Sequence, residues 1–344
     1  MGTEGLQSLS LTQAVDCHER LPVPLRPATL HPAYVAADAI RNALLQPVYL
    51  HYQSQSEHWL HSLHLTAIPG TPYHDASAPY GYGGPLCTCD DPVFVAQAWA
   101  AYTAWMQARR VVVEYIRFHP LLANQRHYGG TVLPNREVVW VDLRVPDLVA
   151  TYAPRLRATV NKAERAGLVY AEMPLAEQSS PAFGAYYRAA MQAMGADPFF
   201  WFDDAYFAQL AASGLARLGI CHTAGEPQGP WLAAALMLDG AGVTEYHLAA
   251  TCDSGRRVGA SSFVLHQAAL SAGRRGRSRL YLGGGSDTLP ENPLLFFKAA
   301  FSAHRLIYHT GFHVFDRVDY EALCRLFPDA WATHPERPIF YRKV

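Results

Sequence analysis

The stretch from residue 231 to residue 274 constrains this chain most. Trp231–Leu238 and Val243–Ala250 read as two strands, and the connecting Asp239-Gly240-Ala241-Gly242 is a composition that closes a hairpin. A loop over 251–259 follows and opens a helix expected from Ala260 to about Arg274. A helix start of this kind leaves backbone N–H groups unpaired at the positive end of the macrodipole, which suits a pyrophosphate or similar anion. The cradle would be Arg256, Arg257, Val258, Gly259, Ala260 and Ser261. Two guanidiniums add charge, while Gly259 and Ala260 let the backbone approach a ligand. A solvated basic loop has the same composition, so this run alone leaves both readings open.

The other elements give a mixed α/β order. Strands are expected over 42–52, 58–68, 111–118, 137–143, 215–223, 279–282 and 306–314. Helices are expected from Asp90 or Asp91 onward, where Val95, Trp99, Tyr102 and Met106 form an apolar stripe, and over 154–166, 180–194, 203–212 and 292–302. With 344 residues the chain suits two domains of roughly 150 residues each. Residues 1–30, with Pro22, Pro24 and Pro27, read as an arm; 31–153 form a first domain and 154–344 a second.

Composition narrows the function classes. Half of the residues are hydrophobic and 17% charged, a globular balance, and a net charge of −1 gives no global field for nucleic acid or an acidic membrane. No apolar run approaches the ~20 residues that span a bilayer, and Met1–Leu11 lacks the basic start of a signal peptide. Six irregularly spaced cysteines fit a reducing compartment, so the expected location is the cytoplasm. Cys87-Thr-Cys89 near His74 lacks a second ligand pair, and no metal is expected.

The hairpin–loop–helix order resembles the GNAT acyltransferases, whose pyrophosphate loop follows Arg/Gln-x-x-Gly-x-Gly/Ala; Arg256 and Gly259 match, and Ser261 departs at the last position. From about Leu50 onward the chain is similar to the Fem-like branch of that superfamily. The similarity rests on Pro79-Tyr80-Gly81-Tyr82-Gly83-Gly84-Pro85, Arg117-Phe118-His119-Pro120-Leu121 and Arg157-x3-Asn161-Lys162-x-Glu164-Arg165-Ala166-Gly167. It continues through Tyr246-His247-Leu248, Leu282-Gly283-Gly284-Gly285 and Phe297-Lys298-Ala299-Ala300-Phe301. The resemblance implies an α/β fold of two GNAT-like domains, each a mixed twisted sheet flanked by helices, with the first binding acceptor and the second holding donor and reaction centre. It also implies acyl-CoA or aminoacyl-tRNA as co-substrate.

Several residues then become candidates. Lys298 matches the family's Phe-Lys-x-x-Phe lysine and would neutralise a developing oxyanion or a leaving group. Phe296 and Phe297 stand where ordinary GNAT enzymes often carry a tyrosine acid, and neither ring donates a proton. Glu245 and His247 share one strand face and are catalytic candidates, His247 as acceptor of the amine proton, with Tyr246 on the other face. For substrate binding the candidates are Tyr80, Tyr82 and Gly83, Arg117 and His119, Arg157 and Asn161, Tyr246, and Gly284. A tight turn packed by aromatics is an equal reading of Tyr80–Gly83, and a solvated helix face is the alternative for the 154–166 cations. The activity expected is transfer of an acetyl or aminoacyl group to an amine of a carbohydrate or cell-envelope precursor, small or linked to a nucleotide or lipid. The alternatives are aminoacyl transfer from charged tRNA, or a binding module without turnover. No sustained heptad marks a coiled-coil arm. The oligomeric state stays open.

Overall fold

The computed structural model describes residues 5–225, 229–287, 289 and 291–342. The first four residues of the Met1–Leu11 run lie outside them. Two compact units emerge: residues 1–135 with 307–344, and residues 136–306.

The first segment runs β1 (Gly5–Ser8), α1 (Leu11–Arg20), α2 (Pro32–Ala39), β2 (Leu45–Ser54), β3 (Glu57–Ala67), β4 (His74–Ser77), β5 (Leu86–Cys87), α3 (Pro92–Ala108) and β6 (Val111–Arg117). The middle segment runs β7 (Thr131–Asp142), α4 (Pro154–Arg165), β8 (Leu168–Pro174), α5 (Ser180–Ala193), α6 (Asp204–Ala212), β9 (Ala216–Thr223), β10 (Ala233–Asp239), β11 (Val243–Thr251), α7 (Asp253–Val258), α8 (Ala260–Arg274), β12 (Arg279–Gly284) and α9 (Pro293–Ala299). The chain ends in β13 (Arg305–Val314), α10 (Arg317–Leu326) and α11 (Pro328–Thr333).

In the first unit the strands lie in the order β1–β2–β3–β4–β6–β13, with β5 also on β3. Only β4 and β6 run parallel; the other recorded pairs are antiparallel. α3 closes one face because Phe94, Ala98, Tyr102 and Met106 recur at helical spacing and bury against Leu50, Trp59, Leu63 and Ala76. Asp91 caps the helix through the Val93 N–H, and Pro92 occupies its first turn.

The second unit has the order β7–β12–β11–β10–β9–β8, parallel at β11/β12 alone. One face of this sheet packs on α4 and α8. Val139, Val141, Ala233, Ala235, Met237, Leu280 and Leu282 from alternate strand positions meet Leu156, Val160, Phe263 and Val264 there. Each unit is therefore a mixed sheet flanked by helices, the α/β arrangement expected.

The boundaries differ from those read in the sequence. The expected break at 153/154 moves to 135/136, because Val139 and Val141 already belong to the core of α4 and α8. Residues 307–344 return to the first unit, where β13 pairs with β6 and Leu323 and Phe340 pack on Ile68 and Val112. The 1–30 stretch is no arm: β1 pairs with β2, and Ala14, Leu21 and Leu30 are buried. Its prolines introduce short 3-10 turns instead of an extended tail.

Candidate active site

The site in the second unit begins with an interrupted ladder. Parallel pairing of β11 with β12 runs from Val243↔Arg279 to Glu245↔Tyr281 and stops, although both strands continue to Thr251 and Gly284. Both also change register with their outer partners near this point. β10 against β11 shifts between Leu236 and Met237, and β12 against β7 between Tyr281 and Gly283. Bulges bend the strands that carry them, so the two strands part here in a wedge across which no ladder pair forms among the described residues.

α9 delivers Lys298 to the β12 side of that wedge. Asn292 caps the helix by accepting from the Leu294 and Leu295 N–H groups, with Pro293 in the first turn. Leu295, Phe297 and Phe301 anchor it in the core, and Lys298, one turn after Leu295, lies on the same inward side of the helix. Lys298 is only 8% exposed. Its Nζ donates to the Gly284 carbonyl at 2.7 Å and lies 5.9 Å from the Tyr246 ring centroid. No described carboxylate forms an ion pair with it. Burial alone therefore acts on the amine and lowers its pKa to about 7, while burial pushes the Tyr246 phenol up to about 12. Gly284 is needed at this contact, because a Cβ there would sit 2.5 Å from the Glu137 carbonyl oxygen.

The expected anion cradle is more structured than the sequence suggested. Residues 253–258 form the single-turn helix α7, not a loop, capped by Cys252. Gly259 ends it with a φ of +79° and starts α8 without a side-chain cap. A Cβ at Gly259 would approach Thr159 Cγ2 to 2.6 Å, so both the backbone and the packing require glycine. Thr251, the last residue of β11, shares a 2.8 Å hydroxyl contact with Ser261 in the first turn of α8. The α8 start thus lies at the C-terminal end of β11, as Lys298 lies at that of β12. Ala260 is buried and Val258 packs on the core, whereas Arg256 and Arg257 are exposed, Arg256 paired with Asp253 at 3.1 Å. Lys162 donates to the Arg257 carbonyl at 2.8 Å and ties α4 to this turn.

The remaining candidates separate. Tyr246 faces the α4/α8 core, beside Lys298. His247 points to the other face, where its Nε2 meets the hydroxyl of buried Tyr206 on α6 at 2.7 Å. Glu245 is buried in the stretch that still pairs with β12, ahead of the splay. The ladder therefore does not bring His247 to Lys298, contrary to a shared catalytic role. Arg157 is a tether: its Nη1 donates to the carbonyls of Tyr152 at 3.1 Å and Ala150 at 3.3 Å, closing the turn before α4. Asn161 is exposed on that helix.

In the first unit, Tyr80, Tyr82, Gly83, Arg117 and His119 do converge, at the C-terminal end of β6. Gly83 N–H donates to the Arg117 carbonyl at 2.7 Å, and Asn124 holds the Gly83 and Pro85 carbonyls while accepting from the His119 N–H. Tyr80 is fixed by the Tyr34 hydroxyl on its carbonyl at 2.7 Å and by Asp38 on its N–H, with Arg41 4.9 Å above its ring. The Tyr82 ring meets His119 and Tyr308 edge-on, with centroids 5.5 and 6.0 Å apart. Asn124 and Tyr308 were not foreseen, since neither lies in a recognisable motif. One other polar group gathers His18, Glu19 and His31 within 4.8 Å. Glu19 already accepts from Arg26 at 2.7 Å, and His31 Nδ1 accepts from the Ala33 N–H, which leaves its Nε2 as the protonated nitrogen facing Glu19.

Among known proteins, no family model and no curated sequence matches the chain. Solved structures do. FemX superposes over 94% of this chain and 99% of its own with a TM-score of 0.71 at 12% identity. The fold is Fem-like. The C-terminal domain of a putative lysylphosphatidylglycerol synthetase from Agrobacterium fabrum matches this chain with a TM-score of 0.59 at 14% identity, covering 97% of it and 99% of that domain. L-PGS from Bacillus licheniformis reaches a TM-score of 0.51 at 14% identity, over 78% and 85% of the two chains. Among the described residues, no helix is long and apolar enough to cross a membrane.

Proposed function

We propose that this chain is an N-acyltransferase that moves an acetyl or aminoacyl group onto an amine of a carbohydrate or cell-envelope precursor. The carrying observation is Lys298, a buried amine at the mouth of a strand wedge with no carboxylate partner among the described residues. The Fem-like fold is shared with FemX and with lysylphosphatidylglycerol synthetase domains, whose names point to envelope chemistry.

The inner edge of β11 would pair with an extended donor, as an added strand pairs with an open sheet edge. The α8 start, with Arg256, Arg257, Val258, Gly259, Ala260 and Ser261 around it, would hold a phosphate-bearing part of that donor. The acceptor amine attacks the donor carbonyl carbon directly. A C–N bond forms, the carbonyl becomes an oxyanion, and the C–S bond of a thioester or the C–O bond of an aminoacyl ester then breaks. As an ammonium, Lys298 spends one N–H on Gly284 and keeps two for the oxyanion or the leaving group. With its pKa near 7 it can give a proton to the departing thiolate or alkoxide and regain one from the attacking nitrogen. Both donor classes are cytoplasmic, and this reading implies the same location for the chain. The exposed Arg165, Arg256 and Arg257 favour a polyanionic donor, so charged tRNA is the second reading.

A mass-shift screen tests this by offering acetyl-thioester, longer acyl-thioesters and charged tRNA with amino-sugar acceptors. Transfer abolished by Lys298→Met, with donor still bound, supports the assignment. Binding of a donor without transfer by the wild type would make the chain a binding module.

A further inference from the structure

Helix α3 shows solvent a side that its composition does not suit. Its 17 residues, Pro92–Ala108, include no charged side chain. Phe94, Ala98, Tyr102 and Met106 fill one face and bury against the sheet of the first unit. Val93, Ala96, Gln97, Ala100 and Ala104 recur three and four residues apart on the opposite face, and all five are exposed, Val93 to 61%. A surface helix normally carries charge on its outer side, and one that is apolar nearly all round is normally covered. Charge appears only at the two ends, with opposite sign. Asp90 and Asp91 precede the helix and Arg109 and Arg110 follow it, all four exposed. Asp90 engages His127 and Arg126 through Oδ1, and Asp91 caps the Val93 N–H through Oδ1, so the second oxygen of each is unengaged among the described residues. Arg109 lies 3.6 Å from the centre of the Trp105 ring, and among the described residues neither arginine forms an ion pair with a carboxylate.

A groove of about 350 Å³ flanks the first half of this face, walled by Pro92, Val95, Ala96 and Trp99 of α3 and by Tyr128. Tyr128 packs edge-on to Trp99 with ring centroids 4.7 Å apart, which fixes the second wall. His127, 2% exposed, also lines the groove, and its Nδ1 has no hydrogen-bond partner among the described residues. The partner that matches both charged ends is the same surface reversed. A two-fold axis at Ala100 lays α3 antiparallel on α3 of a second copy. Asp90 and Asp91 of each copy then meet Arg110 and Arg109 of the other, and Ala96 meets Ala104, where small side chains let the backbones approach. A parallel pairing would set like charges together. We propose that this face of α3 is the interface of an antiparallel homodimer of the chain. The helix is about 25 Å long, so the contact is small and the dimer forms reversibly with concentration. It stands or falls apart from the transfer chemistry.

Sedimentation equilibrium on the full chain, from low-micromolar to several-hundred-micromolar protein, tests the interface. The wild type should pass from monomer to dimer and no further, because a two-fold contact closes on itself. Added salt should weaken the dimer through its charged ends. Ala100→Arg, at an exposed helix position that suits arginine, should raise the dimer dissociation constant at least ten-fold, with the melting temperature at low-micromolar protein unchanged. Should that variant fail to fold, Val93→Glu gives a second reading, with a loss of three-fold or more expected. Arg110→Glu and Asp90→Lys should each associate more weakly alone, and an equimolar mixture of the two should recover a heterodimer, since both end contacts regain opposite signs. A wild type that stays monomeric over the whole range, or a dimer that Ala100→Arg and Val93→Glu leave intact, overturns the proposal. Failure of the mixed charge variants to pair overturns the antiparallel arrangement.

Discussion

Among the described residues each unit contains one parallel strand pair, and the two pairs end differently. In the first unit, β4 and β6 stay zipped. Pairing reaches Ser77↔Tyr115, and the chain beyond β4 keeps following β6 through Ala78 N–H on the Tyr115 carbonyl, Gly83 N–H on Arg117, and a bridge from Gly83 to Phe118. In the second unit the ladder between β11 and β12 ends at Glu245↔Tyr281, and among the described residues no further pair joins the two strands. The Tyr80–Gly84 turn thus prolongs the pairing in one sheet where the ladder of the other stops short. On the proposed reading, a donor site needs more than the fold: the parallel pair must also be left unzipped, with bulges on its outer edges to hold it apart.

Their buried ionisable groups differ in the same sense. Glu114 of β6 is wholly enclosed and accepts from the hydroxyls of Tyr102 at 2.6 Å and Tyr128 at 3.2 Å, with His61 Nε2 4.0 Å away. Lys298 has a single carbonyl and an aromatic face. Desolvation leads in both cases, raising Glu114 to about 7 and lowering Lys298 to about 7. One group is satisfied on its neighbours and acts as structure, while the other keeps donors to spare.

The largest effect that sharpens this contrast is on turnover. Lys298→Met should lower the transfer rate by about 10²–10⁴-fold with donor affinity changed only a few-fold, measured by single-turnover kinetics beside direct donor binding. Next come two glycines. Gly83→Val would press its Cβ against Ala78, 2.8 Å away, and should cost about 1–3 kcal/mol in denaturant unfolding while sparing donor affinity. Gly259→Val should do the reverse, raising the donor Kd at least ten-fold by displacing the α8 start.

The pH dependence of stability should run in opposite directions at the two buried groups. Between roughly 4.5 and 7 the folded chain keeps a proton on Glu114 that the unfolded chain has lost, so stability falls as pH rises. Between roughly 7 and 10.5 the unfolded chain holds a proton on Lys298 that the folded chain has released, so stability rises with pH. Glu114→Gln should flatten the first slope and Lys298→Met the second, read from melting temperatures across pH. The smallest effect is at Arg157. Arg157→Met should cost about 1 kcal/mol of stability through two lost carbonyl contacts, with no change in donor Kd.

Much of this was legible beforehand. Alternating apolar runs and the Asp239–Gly242 hairpin placed β10, β11 and α8, and Gly259 announced the start of α8, because local chemistry sets these features. What depended on distant partners was not legible. The wedge arises from bulges against β10 and β7, and nothing in the residues 243–251 shows where pairing stops. Strand alternation put His247 opposite Tyr246, yet only the position of Tyr206 on α6 shows what occupies that face. Arg157 looked like a ligand because its charge is visible in sequence and its carbonyl partners are not. The unit boundaries failed for a similar reason: β13 pairs with β6, nearly 200 residues earlier, a closure no local pattern encodes.

The account stands on the amine of Lys298 being held in the wedge and tuned close to neutrality. Its titration can be followed directly in the full-length protein by site-resolved reactivity toward an amine-selective acylating reagent, with the exposed amine of a surface lysine as reference. A midpoint near 7 for Lys298, abolished as a signal by bound donor, is the expected outcome. A midpoint near 10.5 that is indifferent to donor would show an ordinary solvated lysine and contradict the mechanism.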